Sequence, residues 1–133
     1  MKPVFADTSF YVAISSPQDA LHAQAKALAG AQQGPILTSE FVLVEVGNFF
    51  CRGSGRSMFQ TLVRNLRSAE GVEIVPVSTR LFEKALALFT SRPDKDWSLT
   101  DCGSFVVMTE HGSTEALTAD HHFEQAGFVA LLK

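Results

Sequence analysis

Residues 3–9 read Pro3-Val4-Phe5-Ala6-Asp7-Thr8-Ser9. A short apolar run ends on a carboxylate, and two hydroxyl residues open the next segment. Pro3 to Ala6 has the length and unbroken apolarity of a buried strand. Thr8 to Ile14 then reads as the first turns of a helix. A carboxylate placed where a buried strand gives way to a helix is the feature from which the rest of the chain is read.

Outward from it, strands and helices alternate. Ser16-Pro17-Gln18-Asp19 has the form of a helix start, with Ser as the cap, Pro at the first helical position and Asp three residues on. That helix is expected to run to Gly30. Gln32-Gln33-Gly34-Pro35 is a turn, Ile36 to Thr38 a strand, and Ser39 caps a helix reaching about Arg52. Gly53-Ser54-Gly55 breaks the chain. Ser57 to Ala69 is amphipathic, with Phe59, Leu62, Val63 and Leu66 at helical spacing. Glu73 to Val77 is a strand and Ser78 to Ser91 a helix carrying Leu81, Phe82, Ala85, Leu88 and Phe89. Arg92 to Trp97 is a polar loop. Ser98 to Glu110 is a helix, Glu115 to Thr118 a strand, and Phe128 to Leu131 a last short strand. Strands separated by helices imply parallel pairing through right-handed crossovers. The class is α/β, a mainly parallel central sheet flanked by helices. At 133 residues the chain suits one domain over 1–133.

Four acids stand at the ends of these elements. Asp7 closes the first strand. Glu45 interrupts the apolar stretch Phe41 to Phe50. Asp101 begins an apolar helical run, and Asp120 follows the strand-like Ala116 to Ala119. In open parallel sheets ligands bind beyond the carboxyl ends of the strands, which is where Asp7 and Asp120 fall. Carboxylates gathered in apolar surroundings repel one another and resist ionising. A hard divalent cation, Mg²⁺ or Mn²⁺, removes that difficulty through oxygen ligation. The pattern points to metal-dependent chemistry on phosphates.

Each acid also has a plain structural explanation. Asp7 can cap the helix at Thr8, Glu45 can pair with Arg52 on the same helix, and Asp101 completes a capping box with Ser98. Asp120 suits a turn. Thr8 and Ser9 suit caps as well as holders of a carboxylate or a water. Asp96 is a fifth acid at the rim, in a polar loop. His121 and His122 adjoin Asp120 without the spacing of a zinc site and read as solvent-exposed side chains. Arg52, Arg56, Arg64 and Arg67 concentrate basic charge in one stretch. Arg64 and Arg67 read as a solvated helix face, whereas Arg52 and Arg56 flank the glycine break beyond Glu45 and are candidates to reach a phosphate.

The bulk numbers exclude several classes. A hydrophobic fraction of 46% and a charged fraction of 19% support a folded core. The net charge of -3 leaves any nucleic-acid contact to a local patch. Two isolated cysteines, Cys51 and Cys102, suggest reduced thiols and a cytoplasmic protein. No apolar run is long enough for a membrane span. There is no GxxxxGK[ST] loop and no GxSxG elbow. A phosphatase or phosphotransfer fold with Asp7 as nucleophile is disfavoured, because Ser9 stands where the common Asp-x-Asp motif has its second Asp. The 11 Phe, against one Trp and one Tyr, exceed what a small core needs. Some of them, with Trp97, are expected to form an exposed apolar patch of the kind that marks an interface.

At Phe5-Ala6-Asp7-Thr8-Ser9, Thr38 to Glu45, Ser98-Leu99-Thr100-Asp101 and Leu117-Thr118-Ala119-Asp120-His121-His122-Phe123, the chain resembles the PIN-domain ribonucleases, and among them the VapC-like toxins of toxin–antitoxin pairs. Length and element order match as well, so the resemblance spans nearly the whole chain as a single PIN-like domain. It implies that Asp7, Glu45, Asp101 and Asp120 bind Mg²⁺ or Mn²⁺ and hydrolyse RNA, with Asp96 assisting at the rim. It also implies a cognate antitoxin with a basic side chain near the acids. The acidic net charge separately suggests a homodimer, since dimerising can pair two local basic patches into one groove that holds RNA. The alternatives are a non-catalytic α/β module that binds phosphate or protein, and a PIN nuclease with a housekeeping role in RNA processing.

Overall fold

The computed structural model describes residues 1–133. Its strands are β1 (Val4–Ala6), β2 (Ile36–Ser39), β3 (Val72–Val75), β4 (Glu115–Leu117) and β5 (Val129–Ala130). Its helices are α1 (Thr8–Ser15), α2 (His22–Ala31), α3 (Glu40–Phe49), α4 (Gly55–Ser68), α5 (Thr79–Ser91), α6 (Leu99–Glu110) and α7 (His121–Gln125). All pairings are parallel, and the strands lie in the order β3-β2-β1-β4-β5. The chain winds outward from β1 through β2 to β3, then crosses back to lay β4 on the other side of β1. The direction of winding therefore reverses between β1 and β4. A crevice opens beyond the carboxyl ends of strands at such a reversal.

Burial explains which segments became strands. Val4, Phe5 and Ala6 are all buried, as are Leu37, Thr38 and Ser39 of β2 and Ala116 and Leu117 of β4. Strands covered on both faces read as unbroken apolar runs rather than alternating ones. The most enclosed helix is α6, which buries Cys102, Phe105, Val107 and Met108. Phe105 joins an aromatic cluster with Trp97, Phe123 and Phe128 at centroid separations of 5.0, 5.0 and 5.7 Å. Phe123 reaches on to Phe5 of β1, at 6.2 Å. It thus ties α7 to α6 and the sheet. Phe123→Ala is expected to lower stability by about 3–5 kcal/mol, read as a shift of the urea midpoint. A loss below about 1 kcal/mol would mean that the cluster does not anchor α7.

Several sequence expectations need correcting. Ser16 to Asp19 is not a helix start. The Ser16 amide donates to Ala13 O and so finishes α1, and the Asp19 carboxylate accepts from Leu21 N (2.8 Å), folding the segment into a turn before α2. Helix α3 stops at Phe49 rather than Arg52, ahead of Gly53, whose φ of 55° a residue with a side chain rarely adopts. Strand β3 ends at Val75 because Pro76 has no N–H for the ladder. Residues 121–125 form a short helix rather than a plain turn. Trp97 is buried, its Nε1 donating to Gln125 Oε1 (3.1 Å), and so belongs to no exposed patch. Cys51 and Cys102 are free thiols. No helix is long and apolar enough to cross a membrane.

Candidate active site

A polar crevice of roughly 470 Å³ lies over the carboxyl ends of β1 and β4. Asp7, Glu45, Asp101 and Asp120 all line it, with Thr8, Ser9, Asp96, Ser98 and His122. Asp7 stands at the reversal point itself, since its amide donates to Leu117 O of β4. Glu45 enters from α3, Asp101 from the first turn of α6, and Asp120 from the residue that caps α7. Asp19 also lines the crevice, from the turn after α1. Sequence reasoning missed it because Pro17-Gln18-Asp19 read as a helix cap. Arg52 and Arg56 do not line the crevice; Arg56 donates instead to Cys51 O (3.2 Å).

Hydroxyl groups hold the carboxylates in place. Thr118 Oγ1 donates to Asp7 Oδ2 (2.9 Å), which uses its only proton. The 3.2 Å contact between Ser9 Oγ and Thr118 Oγ1 must then be donated by Ser9. The Asp120 amide donates to the same Thr118 oxygen (3.1 Å), and the Ala119 amide donates to Ser9 Oγ (3.2 Å). Thr118 therefore has its full set of partners and is fixed against Asp7. Thr8 Oγ1 donates to Glu45 Oε1 (2.6 Å), so Glu45 is tied to α1 rather than to Arg52.

The capping box at α6 is present in full. Asp101 N donates to Ser98 Oγ (2.9 Å), and Ser98 N donates to Asp101 Oδ2 (3.1 Å). The same carboxylate oxygen accepts from His122 Nδ1 (3.1 Å). Asp101 is thus both a cap and a wall of the crevice; the two explanations coincide. His122 is not the solvent-exposed side chain that the sequence suggested. It is largely buried and lies against Asp101 and Asp120. Asp120 accepts from His122 N (2.9 Å) and so caps α7 while facing the crevice.

This crowding disfavours charge. Burial, reinforced by the neighbouring charges of Asp101 and Glu45, pushes the Asp7 carboxyl up to about 7. Asp101 is raised for the same first reason, burial, with Asp120 adding to it. The donor atoms around Asp7 are carboxylate and hydroxyl oxygens, the ligand type of a hard divalent cation. A cation there would offset both the burial and the repulsion, so the residues fit such an ion.

The PIN domain family profile matches residues 4–129 of the chain. The protein belongs to the PIN domain family. Within it the chain is a homologue of the 23S rRNA-specific endonuclease VapC20 of Mycobacterium tuberculosis, 31% identical over 126 residues that cover 95% of each protein. The crystal structure of that VapC20, described as a Sarcin-Ricin loop cleaving toxin, superposes with a TM-score of 0.86 over 95% of this chain and 96% of the other. FitAcB from Neisseria gonorrhoeae shares the fold at 14% identity, with a TM-score of 0.66 over 96% and 94% of the chains. VapBC2 from Rickettsia felis does so at 14% and 0.66, over 96% of each chain. The PIN fold accounts for the element order.

Proposed function

We propose that this PIN-domain protein, a single domain over residues 1–133, is a divalent-metal-dependent endoribonuclease and the toxin of a toxin–antitoxin pair. The observation that carries the reading is the convergence of Asp7, Glu45, Asp101 and Asp120 in one crevice with an all-oxygen donor set. Kinship with VapC20 makes RNA the substrate class, and 23S rRNA the first RNA to test.

Asp7, Glu45, Asp101 and Asp120 would hold Mg²⁺ or Mn²⁺, directly or through water. When bound, the ion supplies charge stabilisation at the phosphate and eases ionisation of the attacking water. The chain's own part is placement. Thr118 and Ser9 fix Asp7, Thr8 fixes Glu45, and Ser98 with His122 fixes Asp101. Held side chains keep the carboxylates within reach of one another without reorganisation when RNA arrives. Asp96 and Asp19 stand at the rim, where they can hold an outer water. Arg52 and Arg56 lie outside the crevice, and a phosphate contact from them would fall further along the RNA. The test is cleavage of 23S rRNA by purified protein with Mg²⁺ or Mn²⁺, with chelator, and with Asp7→Asn. Equal cleavage in all three conditions would refute the assignment.

Two partners complete the reading, in a cytoplasmic setting. An antitoxin would bring a basic side chain to the acids and apolar side chains to the groove bordered by Phe10, Ile14, Leu62 and Leu66, since α1 lines both places. A second copy of the chain would cover α5, where Phe82, Leu86 and Phe89 form one exposed stripe at i, i+4 and i+7. Phe82→Glu together with Leu86→Glu is expected to turn a dimer into a monomer in light scattering, without changing the circular dichroism. A monomeric parent at micromolar concentration would refute the dimer.

A further inference from the structure

Three donor atoms from consecutive residues meet at the start of α7. Asp120 Oδ1 lies 3.3 Å from His122 Nδ1 and 3.7 Å from His121 Nδ1. One ligand atom from each of the three residues lies within 4.8 Å of the others. A tetrahedral ion with nitrogen and oxygen ligands at about 2.1 Å has ligand-to-ligand edges of about 3.4 Å. The two measured spacings therefore straddle the edge that such an ion requires.

The local fold brings this about. Neighbouring side chains on a helix point about 100° apart, which ordinarily separates their rings. Here the two imidazoles lie beside each other, with centroids 4.4 Å apart and planes tilted by 48°. The Asp120 carboxylate is held over the same turn by the bond from His122 N (2.9 Å). Two imidazoles and one carboxylate make a donor set for a borderline-soft ion rather than for Mg²⁺. The inner crevice around Asp7 offers oxygen.

We propose that Asp120, His121 and His122 form a second site, for Zn²⁺, at the rim of the crevice, sharing Asp120 with the inner acids. Its use draws Asp120 away from the inner acids and takes His122 Nδ1 from Asp101. Occupancy therefore works against the catalytic cation, and Zn²⁺ inhibits cleavage. Only this last consequence rests on the ribonuclease reading; the binding does not.

His121 is exposed and lies outside the residues assigned to catalysis, so its replacement leaves the fold and the inner crevice alone. Tag-free protein is titrated with Zn²⁺ by calorimetry, and with Co²⁺ by visible absorption, in the absence of RNA and Mg²⁺. The parent is expected to bind one Zn²⁺ per chain and to give the intense spectrum of low-coordinate Co²⁺. His121→Ala is expected to bind roughly tenfold more weakly or worse and to lose that spectrum, whereas Asp7→Asn keeps both. No binding by the parent, parental affinity in His121→Ala, or loss of binding in Asp7→Asn each overturns the site; the last places the ion among the inner acids. In the cleavage assay His121→Ala works like the parent with Mg²⁺ or Mn²⁺ alone and resists a Zn²⁺ concentration that stops the parent. Equal inhibition of both overturns the inhibitory consequence. If neither protein cleaves RNA, the ribonuclease reading fails while the binding result still decides the site.

Discussion

RNA cleavage by Asp7→Asn is expected to fall at least about a hundredfold below the parent, with the fold intact. Asparagine keeps the shape of the side chain, and its carbonyl still accepts from Thr118 Oγ1, so the buried packing around β1 survives. What is lost is the charge that, on the proposed function, would help hold the cation. Charge stabilisation at a phosphate by a bound cation contributes several kcal/mol, and about 3 kcal/mol already corresponds to a hundredfold in rate. Asp101→Asn is expected to act in the same direction, because Asp101 faces the same crevice from α6. Single-turnover cleavage of end-labelled RNA measures the effect, and circular dichroism checks the fold. Cleavage within a few-fold of the parent, by protein free of contaminating nuclease, would remove Asp7 from the mechanism.

The same substitution is expected to stabilise the metal-free protein at neutral and alkaline pH. The Asp7 carboxyl titrates near 7 in the native state, against 3.8 for an ordinary aspartate, chiefly because it is buried. Between those values the native chain holds a proton that the unfolded chain has released. Stability then falls as pH rises through this window, and the full penalty is present above it. For one carboxyl the size is up to about 4 kcal/mol. Asp7→Asn carries no such penalty, so its advantage over the parent should be absent near pH 4 and grow towards pH 8. Mg²⁺ or Mn²⁺ should raise the melting temperature of the parent at pH 8 and do much less for the variant, because the ion favours the charged carboxylate. Melting curves in chelator across this range decide the matter. Parallel pH profiles for the two proteins would show that Asp7 does not bear the cost of burial.

The fold was legible where local signals and burial agreed. Pro3 to Ala6 has no polar residue, and a strand covered on both faces needs none. Ser39, Ser78 and Ser98 each stand immediately before a helix, and each side-chain oxygen accepts from the backbone three residues on, as the sequence predicted for Ser39 and Ser98. The reading failed where one signal had two outcomes. Ser16 to Asp19 carries real capping chemistry, but Asp19 uses it to close a turn on Leu21. Helix α7, at five residues, is too short for any periodicity to show. In the crevice Asp7, Asp101 and Asp120 stand at element ends and Glu45 interrupts the apolar run of α3, and they were visible from that alone. Their supports were not. The Thr118 bond to Asp7 spans 111 positions, and His122 meets Asp101 only because α7 packs beside α6. Nothing at position 118 or 122 marks those partners. Likewise, Trp97 looks like an interface residue in a polar loop until Phe105 and Gln125 are brought around it.

The pairing of β1 with β4 also sets a timetable for the growing chain. Translation delivers Asp7 early, and β1 can pair with β2 as soon as residue 36 and its neighbours have emerged. The opposite edge of β1 must wait for Ala116 and Leu117. A nascent polypeptide that has completed β3 already displays Asp7 and Glu45, yet it has neither Thr118 to fix Asp7 nor Asp120 to close the ring of acids. No partial product that stops short of β4 and Asp120 carries the whole crevice. Competence arrives in one step, when the β4 segment docks onto a strand made more than a hundred residues earlier. A protecting partner would therefore have to be at hand once β4 and the turn at Asp120 have emerged and docked, and would not be needed before.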